Sequence, residues 1–493
     1  MTRVDFEVQP GGPLRGSVPV PTDKSIAHRA LIFGALADGV SELRGVAPLG
    51  ATAITRRALE ALGVRFEEAE NLLRVHGVGL AGFTAPAAPI DCGGSGTSLR
   101  LLAGLLAAQP FQSTLAADAY LSQRPMARVV APLRRRGATI EGRFHPTRSG
   151  ELLPPLVIGP LAPGAALLES EETLPIPSAQ VKTALLLSGL YADGNTYVRE
   201  PVVSRDHTER MLRALGAPLR AVASAVELDV TGWVRRLPAF SMQIPGDPSS
   251  AAFLIVAALL VPGSEVTLRS VGLNPTRRGF FEYLRDINAP VGIEERGAEM
   301  GEPVGEIQAM FGGPLRGSLM AGETLVRAID EVPALCALAA RCHGVSEIAD
   351  AAELRVKESD RLAAMARALR AFGVDCEERP DGLLIQGKPG SPLRAAEVDS
   401  GGDHRIAMAA TLLSLVADGP CRIRDVACIG TSFPRFAGTL RALGASVRAV
   451  EVALAFVRLV AWIFLGGCEG LRQALAHLAV FGLYFTRFGR TRG

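Results

Sequence analysis

LRALGA stands at Leu212–Ala217 and again at Leu440–Ala445, and four looser copies lie between and before them. These are LEALGVRF from Leu59, LRRRGATI from Leu133, LRDINAPV from Leu284 and LRAFGVDC from Leu369. The Gly or Asn of the six copies falls at 63, 137, 216, 288, 373 and 444, with successive spacings of 74, 79, 72, 85 and 71. Each copy reads as the end of an amphipathic helix. Gly or Asn takes the left-handed position after the last turn, and an apolar or β-branched stretch then starts a strand. Arg in the last turn suits the negative end of the helix dipole. Ordinary helix punctuation would give the same words, but the regular spacing favours structural repeats. A unit of about 75 residues exceeds a solenoid repeat and has room for two helices and several strands. Six units suggest two domains of three. A second, weaker repeat, GGPLRGS at Gly11–Ser17 and Gly312–Ser318, reads as a tight turn feeding a strand. Pro and Gly break the pattern at Phe240–Pro248, and a second crossing near Val20–Asp23 would make a paired hinge.

Composition bounds the function. The 493 residues are 48% hydrophobic and 21% charged, as in a globular chain of more than one domain. With 52 basic and 50 acidic residues the net charge is +2, which excludes a general nucleic-acid binder. Local basic clusters must then serve small anions. The seven cysteines form no CxxC pair and no zinc spacing, which fits a reducing cytoplasm. MTRVDFEVQPGG lacks the apolar core of a signal peptide.

Six helix starts carry polar, Gly-rich or cationic clusters. PTDKSIAHRA (Pro21–Ala30) places Lys24 and Arg29 near a positive helix end, with Asp23 or Ser25 as the cap. Cations are unfavourable there unless an anion sits beside them; a solvated basic end is the alternative. DCGGSGTSLR (Asp91–Arg100) lets several N–H groups converge, yet it is neither a Walker loop nor GxGxxG. Arg124, before a Pro at a helix edge, can present its fork to an anion, whereas Arg134–Arg136 read as a solvated helix end. Ser178 and Gln180 open an apolar helix, as a ligand contact or a plain cap. LRVKESDRL (Leu354–Leu362) is the densest cluster, with Lys357 and Arg361 at i,i+4 and Glu358 between them; a surface ion-pair helix is its ordinary reading. DSGGDHRIAM repeats the glycine device before Asp403, His404 and Arg405, and Asp330 precedes a strongly apolar helix as cap or buried base. Converging on one cleft, these helix starts would bind a multiply charged anion while Glu358 and Asp330 move protons.

Together PTDKSIAHRA, GGSGTSLR, SAQVKTALLLSGL, SRDHTERML, IPGDPSSAAF, LRVKESDR and GGDHRIAM, in this order, resemble the 5-enolpyruvylshikimate-3-phosphate synthases (3-phosphoshikimate 1-carboxyvinyltransferases) from about Gly12 to Val447. The resemblance implies an α/β protein of two domains, each three βαβαββ repeats around parallel helices, the enolpyruvyl transferase fold or inside-out α/β barrel. It sets domain I at 1–21 plus 246–449 and domain II at 22–245. It implies transfer of the carboxyvinyl group of phosphoenolpyruvate to the 5-hydroxyl of shikimate 3-phosphate, a step toward aromatic amino acids, in a cytoplasmic monomer with no metal or organic cofactor. Both substrates are small molecules; no nucleic acid is implied as a partner. Lys24, Ser25, Arg29, Ser178, Ala179, Gln180, Ser204, Arg205, Asp330 and Lys357 are implied as shikimate 3-phosphate ligands. Lys24, Gly96, Arg124, Gln180, Arg361 and Arg405 are implied as phosphoenolpyruvate ligands. Asp330 is implied as acceptor of the hydroxyl proton, Glu358 as donor to the methylene carbon, and Lys24 as a shared catalytic cation.

Two features depart from the family. Some members carry Lys where GTSFPRF has Thr431, and Arg435 is a candidate substitute. The segment 450–493 is an apolar composition break whose runs are cut by Arg458, Glu469 and Arg472, too short for a bilayer span of about 20 residues. A membrane-surface helix pair and an altered reading frame are its two readings. Two rival functions are UDP-N-acetylglucosamine enolpyruvyl transfer, which Phe111–Gln123 disfavours because it holds no Cys, and a non-catalytic anion-binding repeat protein.

Overall fold

The structure is a computed structural model that describes residues 2–46 and 50–453. The expectations for 454–493 lie outside the described residues. The unit containing Leu212 shows how the repeat folds. Strand Leu167–Thr173 leads to helix Ala179–Gly189, and strand Ala192–Arg199 returns parallel to the first. Helix His207–Ala214 follows, then strands Leu219–Val222 and Ala225–Leu228, both antiparallel additions. The second helix stops because Gly216 turns to φ +79°, a conformation that costs glycine little. All six repeat positions share this sign. Gly63, Gly137, Gly373 and Gly444 lie between +78° and +112°, and Asn288 reaches +53°. Both LRALGA copies, at the third and sixth of these exits, mark the turn from second helix to third strand.

Six four-stranded sheets result, each with the same internal order. Three are completed by distant chain. Arg15–Pro19, fed by the first GGPLRGS turn, runs parallel to Glu265–Gly272, with Val18 opposite Leu268. Ser241–Gln243 runs parallel to Asp38–Arg44. The N-terminal strand Thr2–Gln9 lies between Cys421–Arg424 and Ser446–Ala453, pairing Phe6 with both Ile423 and Ala449. Pairing of that last strand continues to Thr2 opposite Ala453, three residues beyond Val450.

The first helix of each unit is apolar on nearly every side and is therefore buried. All of Pro248–Leu260 is buried, as is nearly all of Gly96–Leu106 and His404–Ser414. Helices Pro248–Leu260, Val332–Ala339 and His404–Ser414 pack on one another, and Gly96–Leu106 packs on both Lys24–Leu36 and Ala179–Gly189. The second helices keep one polar face. Apolar side chains accordingly form two separate cores. One spans Ile26 to Ile244; the other joins Phe6–Val20 to Ala251–Val447. The chain crosses between them twice, side by side, with Asp23 N–H on Pro245 O and Asp247 N–H on Pro21 O, both at 2.7 Å.

One sequence expectation fails here. Arg134 and Arg135 are solvated, but Arg136 is 1% exposed. Its guanidinium donates to Leu168 O, Leu185 O, Ser188 Oγ and Thr196 Oγ1, tying a helix end to the next unit. Nothing in the run of three arginines distinguishes the inward one.

Helices Gly96–Leu106 and Ala179–Gly189 approach closely because Gly104 has no side chain. A Cβ there would overlap Ala184 O, Cα and C, all main-chain atoms that cannot step aside. Gly104→Ala should destabilise the protein by about 1–3 kcal/mol, the range for overpacked cores. Urea unfolding of the two proteins checks this; an unchanged midpoint would show that the helices are free to separate.

Candidate active site

The six apolar helices point their N-termini at one cavity of about 490 Å³ between the two cores. Side chains cap five of these starts, of which Asp23 and Ser178 are the ones read from sequence; the reading of Asp330 as a cap fails, because helix Val332–Ala339 has no side-chain cap. Asp23 accepts from Ser25 N and Ile26 N, Ser95 from Ser98 N, Ser178 from Val181 N, Asp247 from Ser249 N and Asp403 from Arg405 N. Of the two caps offered for the first helix, Asp23 acts. Helix N-termini bring partial positive charge and free N–H groups. The side chains add to it, because nine Lys and Arg but only six Asp and Glu line the space.

More telling is how those cations are paired. Lys24, Arg29, Arg100, Arg124 and Arg128 all line the cavity, and among the described residues none makes an ion pair. Burial, followed by Arg405, lowers the Lys24 ammonium from its ordinary range. Burial and the neighbouring Arg128 and Arg124 push Arg100 down to about 9. Burial and like charge both disfavour these cations, and an anion beside them would favour their charged forms. Arg277 is the contrast. It is buried but meets Asp23, Asp247 and Glu331, and stays fully charged as a strut between the crossings and the second core.

Asp330 and Glu358 are the carboxylates inside this field. Asp330 bonds Arg205 and lies 3.5 Å from Arg361, 3.9 Å from Lys357 and 4.0 Å from Arg405. Burial raises its pKa, but Arg405, Lys357, Arg205 and Arg361 together hold it well below the usual carboxylate range. Glu358 is treated likewise: burial raises it and Arg361, 2.6 Å away, lowers it further. Lys357 and Arg361 do not form the i,i+4 helix face suggested by spacing, because the helix begins only at Arg361 and leaves Lys357 and Glu358 outside it. These two occupy the loop between the short turn Ala352–Val356 and the helix Arg361–Ala371, which Asp360 caps. That loop is what lets both side chains turn into the cavity.

Ser25, Gly96, Ser178, Ala179, Gln180, Ser204, Arg205, Lys357 and Arg405 line the same space as Lys24, Arg29, Arg124, Asp330 and Glu358. Arg361 is set behind the wall, 1% exposed and engaged with Glu358, Asp403 and Asp330. Among the described residues, neither Thr431 nor Arg435 lines the cavity. Thr431 Oγ1 donates to Cys428 O, and Arg435 is exposed at a helix start. Sequence reading missed Arg100, Arg128, Arg277 and His28. Arg100 sits one turn beyond Gly96 on the same helix, so helical spacing from the Gly-rich loop could have found it; the other three carry no local signal. Two contacts close the cavity from opposite cores: Arg205 with Asp330, and Tyr120 Oη–H donating to Lys357 O at 2.9 Å.

Residues 8–440 match the family model for EPSP synthase (3-phosphoshikimate 1-carboxyvinyltransferase). The chain is similar to the 3-phosphoshikimate 1-carboxyvinyltransferase of Geobacter sp. (strain M21), with 45% identity over 436 residues, 88% of this chain and 98% of the relative. The enzyme of that name from Acidithiobacillus ferrooxidans is 47% identical over 440 residues, 88% of this chain and 96% of its own. Among solved structures, an EPSP synthase from Acinetobacter baumannii superposes with a TM-score of 0.82 at 39% identity, covering 91% of this chain and all of that one.

The site also sets a pH dependence of stability. His28 is buried with Nδ1 2.7 Å from Thr55 Oγ1, and burial, then Lys24 and Arg29, lowers its pKa to about 3. An unfolded histidine titrates near 6.5. The folded state therefore favours neutral His28, and this contribution is complete above about pH 6.5 and lost as pH falls toward 3. Within that window it changes by about 1.4 kcal/mol per pH unit. In urea unfolding between pH 7 and 5, the stability advantage of the parent over His28→Asn should shrink as pH falls. A constant difference would mean that His28 titrates alike in the folded and unfolded chain.

Proposed function

The chain belongs to the EPSP synthase family, and from that premise we propose how its cavity transfers a carboxyvinyl group. The reaction takes phosphoenolpyruvate and shikimate 3-phosphate to the enolpyruvyl ether and inorganic phosphate, in the shikimate pathway to aromatic amino acids. The observation that carries the assignment of the site is the set of five unpaired cations around the two carboxylates Asp330 and Glu358. Two substrates that together bear two phosphates and two carboxylates supply the missing counter-charge. Each charge-assisted hydrogen bond contributes about 1.5–3 kcal/mol.

Ser25, Arg29, Ser178, Ala179, Gln180, Ser204, Arg205 and Lys357 hold shikimate 3-phosphate. Lys24, Gly96, Arg124, Gln180 and Arg405 hold phosphoenolpyruvate, and Arg361 acts from behind by orienting Glu358. Gln180 is already oriented, since its Oε1 accepts from Arg100 and its Nε2 donates to Thr97 Oγ1. Glu358 protonates the methylene carbon, which becomes a methyl group, and the adjacent carbon becomes electrophilic. The ring hydroxyl adds there and gives its proton to Asp330. Glu358, left as a carboxylate, then takes a proton back from the methyl group, which expels phosphate from the tetrahedral adduct and restores the vinyl group. In the free site both carboxyls are ionised. Bound substrate anions oppose the cations that depress Glu358, returning it toward a pKa at which it carries a proton. Lys24 stabilises charge on both substrates as the adduct forms. The two cores act as domains, 1–21 with 246–449 and 22–245, that exclude water around this chemistry. The enzyme works as a cytoplasmic monomer; no helix among the described residues is long and apolar enough to cross a membrane.

Purified protein should release phosphate from phosphoenolpyruvate with shikimate 3-phosphate and not with UDP-N-acetylglucosamine. The opposite preference would overturn the assignment. Glu358→Gln and Asp330→Asn should each lower kcat by on the order of 10²–10⁴ while binding both substrates. Near-normal turnover in either removes that residue from the proton-transfer steps.

A third expectation concerns glyphosate, a phosphoenolpyruvate mimic that competes for this site in the family. A Cβ on Gly96 would lie 3.0 Å from Arg100 Nη1 and 3.7 Å from Arg124 Nη1, displacing cations in the phosphoenolpyruvate site. The parent should be inhibited, and Gly96→Ala should weaken inhibition about ten- to a hundredfold, more than it raises the phosphoenolpyruvate KM. Inhibition constants at matched phosphoenolpyruvate decide this, and a resistant parent would contradict it.

A further inference from the structure

Behind the Ser178 and Ser204 loops lies a buried ion cluster that the steps above do not use. Lys182, one turn into helix Ala179–Gly189, is 3% exposed, with Nζ 2.6 Å from Glu200 Oε2 and 2.7 Å from Glu209 Oε1. Glu200 is 2% exposed and Glu209 3%. Buried ion clusters seldom stabilise a fold better than apolar packing, so this one calls for another reason.

Its hydrogen bonds supply one. Glu200 Oε1 accepts the main-chain N–H of Ser178 at 2.9 Å, and Oε2 accepts that of Ser204 at 3.1 Å. A single carboxylate thus joins two loops that both face the cavity. Thr208 precedes Glu209 on the same helix. Thr208 Oγ1 and Thr183 Oγ1 each accept from the Arg29 guanidinium at 2.7 Å. At the cavity face, Ser204 Oγ is buried and has no hydrogen-bond partner among the described residues. A hydroxyl left so is costly unless a ligand completes it.

We propose that Glu200, held by Lys182, which Glu209 pairs in turn, is a positioning residue for shikimate 3-phosphate, fixing the spacing between the Ser178 and Ser204 hydroxyls. The proposal rests on the reading that this side of the cavity takes that substrate. Glu200 uses up two main-chain N–H groups that would otherwise be free to meet an anion. Recognition therefore falls to the serine hydroxyls and Arg205, whose separation the carboxylate sets. Lys182 cancels the Glu200 charge, which would otherwise repel the phosphate.

Two variants test it. Glu200→Gln keeps the shape but cannot accept from both N–H groups and Lys182 together. Glu200→Asp keeps the charge on Lys182 but is too short to span both loops. Each should raise the KM for shikimate 3-phosphate about tenfold or more, the effect of losing one charge-assisted hydrogen bond. The KM for phosphoenolpyruvate and kcat at saturation should stay within about twofold. An active parent whose KM for shikimate 3-phosphate is unchanged in both variants overturns the positioning role alone. Equal losses in both KM values and in kcat, or two variants that do not fold, mark a purely structural group and overturn it too. A parent that releases no phosphate with shikimate 3-phosphate overturns the assigned reaction, and this proposal with it.

Discussion

Lys24, Arg29, Arg100, Arg124 and Arg128 are gathered where six helix N-termini meet, with no carboxylate within ion-pair reach among the described residues. This concentration of uncompensated positive charge is the constraint on which the rest of the structure depends. Each cation at a helix N-terminus opposes the dipole by about 0.3–1 kcal/mol, and burial adds to that cost. The two extended apolar cores offset it by clamping the helices from behind. A fold without such rigid backing would let the cations turn outward to water. What results is a site that is electrostatically incomplete until anions arrive.

The paired crossings at Val20–Asp23 and Ile244–Asp247 make this incompleteness useful. The core built from 22–245 supplies six of the nine lining cations and the other core supplies Arg277, Lys357 and Arg405 with Asp330 and Glu358, so a ligand that spans the cavity draws the two together. Asp23 belongs to both functions: it caps the Lys24 helix and bonds Arg277, which also bonds Asp247 on the second crossing. Arg277 therefore couples the crossing strands to the floor of the site. Without substrate, Asp330 occupies part of the cation field itself through Arg205. In the proposed reaction substrate anions compete for those same cations, which releases Asp330 to accept a proton.

Much of this was legible in the chain. The six Gly or Asn positions predicted left-handed turns, and all six are left-handed, because helix termination is decided locally by backbone sterics. The Gly-rich and cationic helix starts were legible for the same reason, since caps and N-terminal charges act within a single turn. What stayed hidden depends on contacts between distant segments. Arg136 turns inward only because Leu168, Leu185 and Thr196 present acceptors there. Lys357 and Glu358 fall outside the helix that the spacing of Lys357 and Arg361 suggested, because Asp360 starts the helix later. Completion of three sheets by residues 2–9, 15–19 and 241–243 follows from pairing across the whole chain.

The central claim is that the carboxyvinyl group passes through a methyl intermediate, with Glu358 delivering the proton to carbon. The most direct measurement is turnover in deuterium oxide, with proton NMR of the enolpyruvyl product. Addition and elimination through a methyl group predicts deuterium at the vinyl methylene of the product, and the Glu358→Gln variant should form neither product nor label at a comparable rate. Product formed at the parent's rate with a fully protiated methylene would contradict the account, because the methylene carbon would then never have accepted a proton.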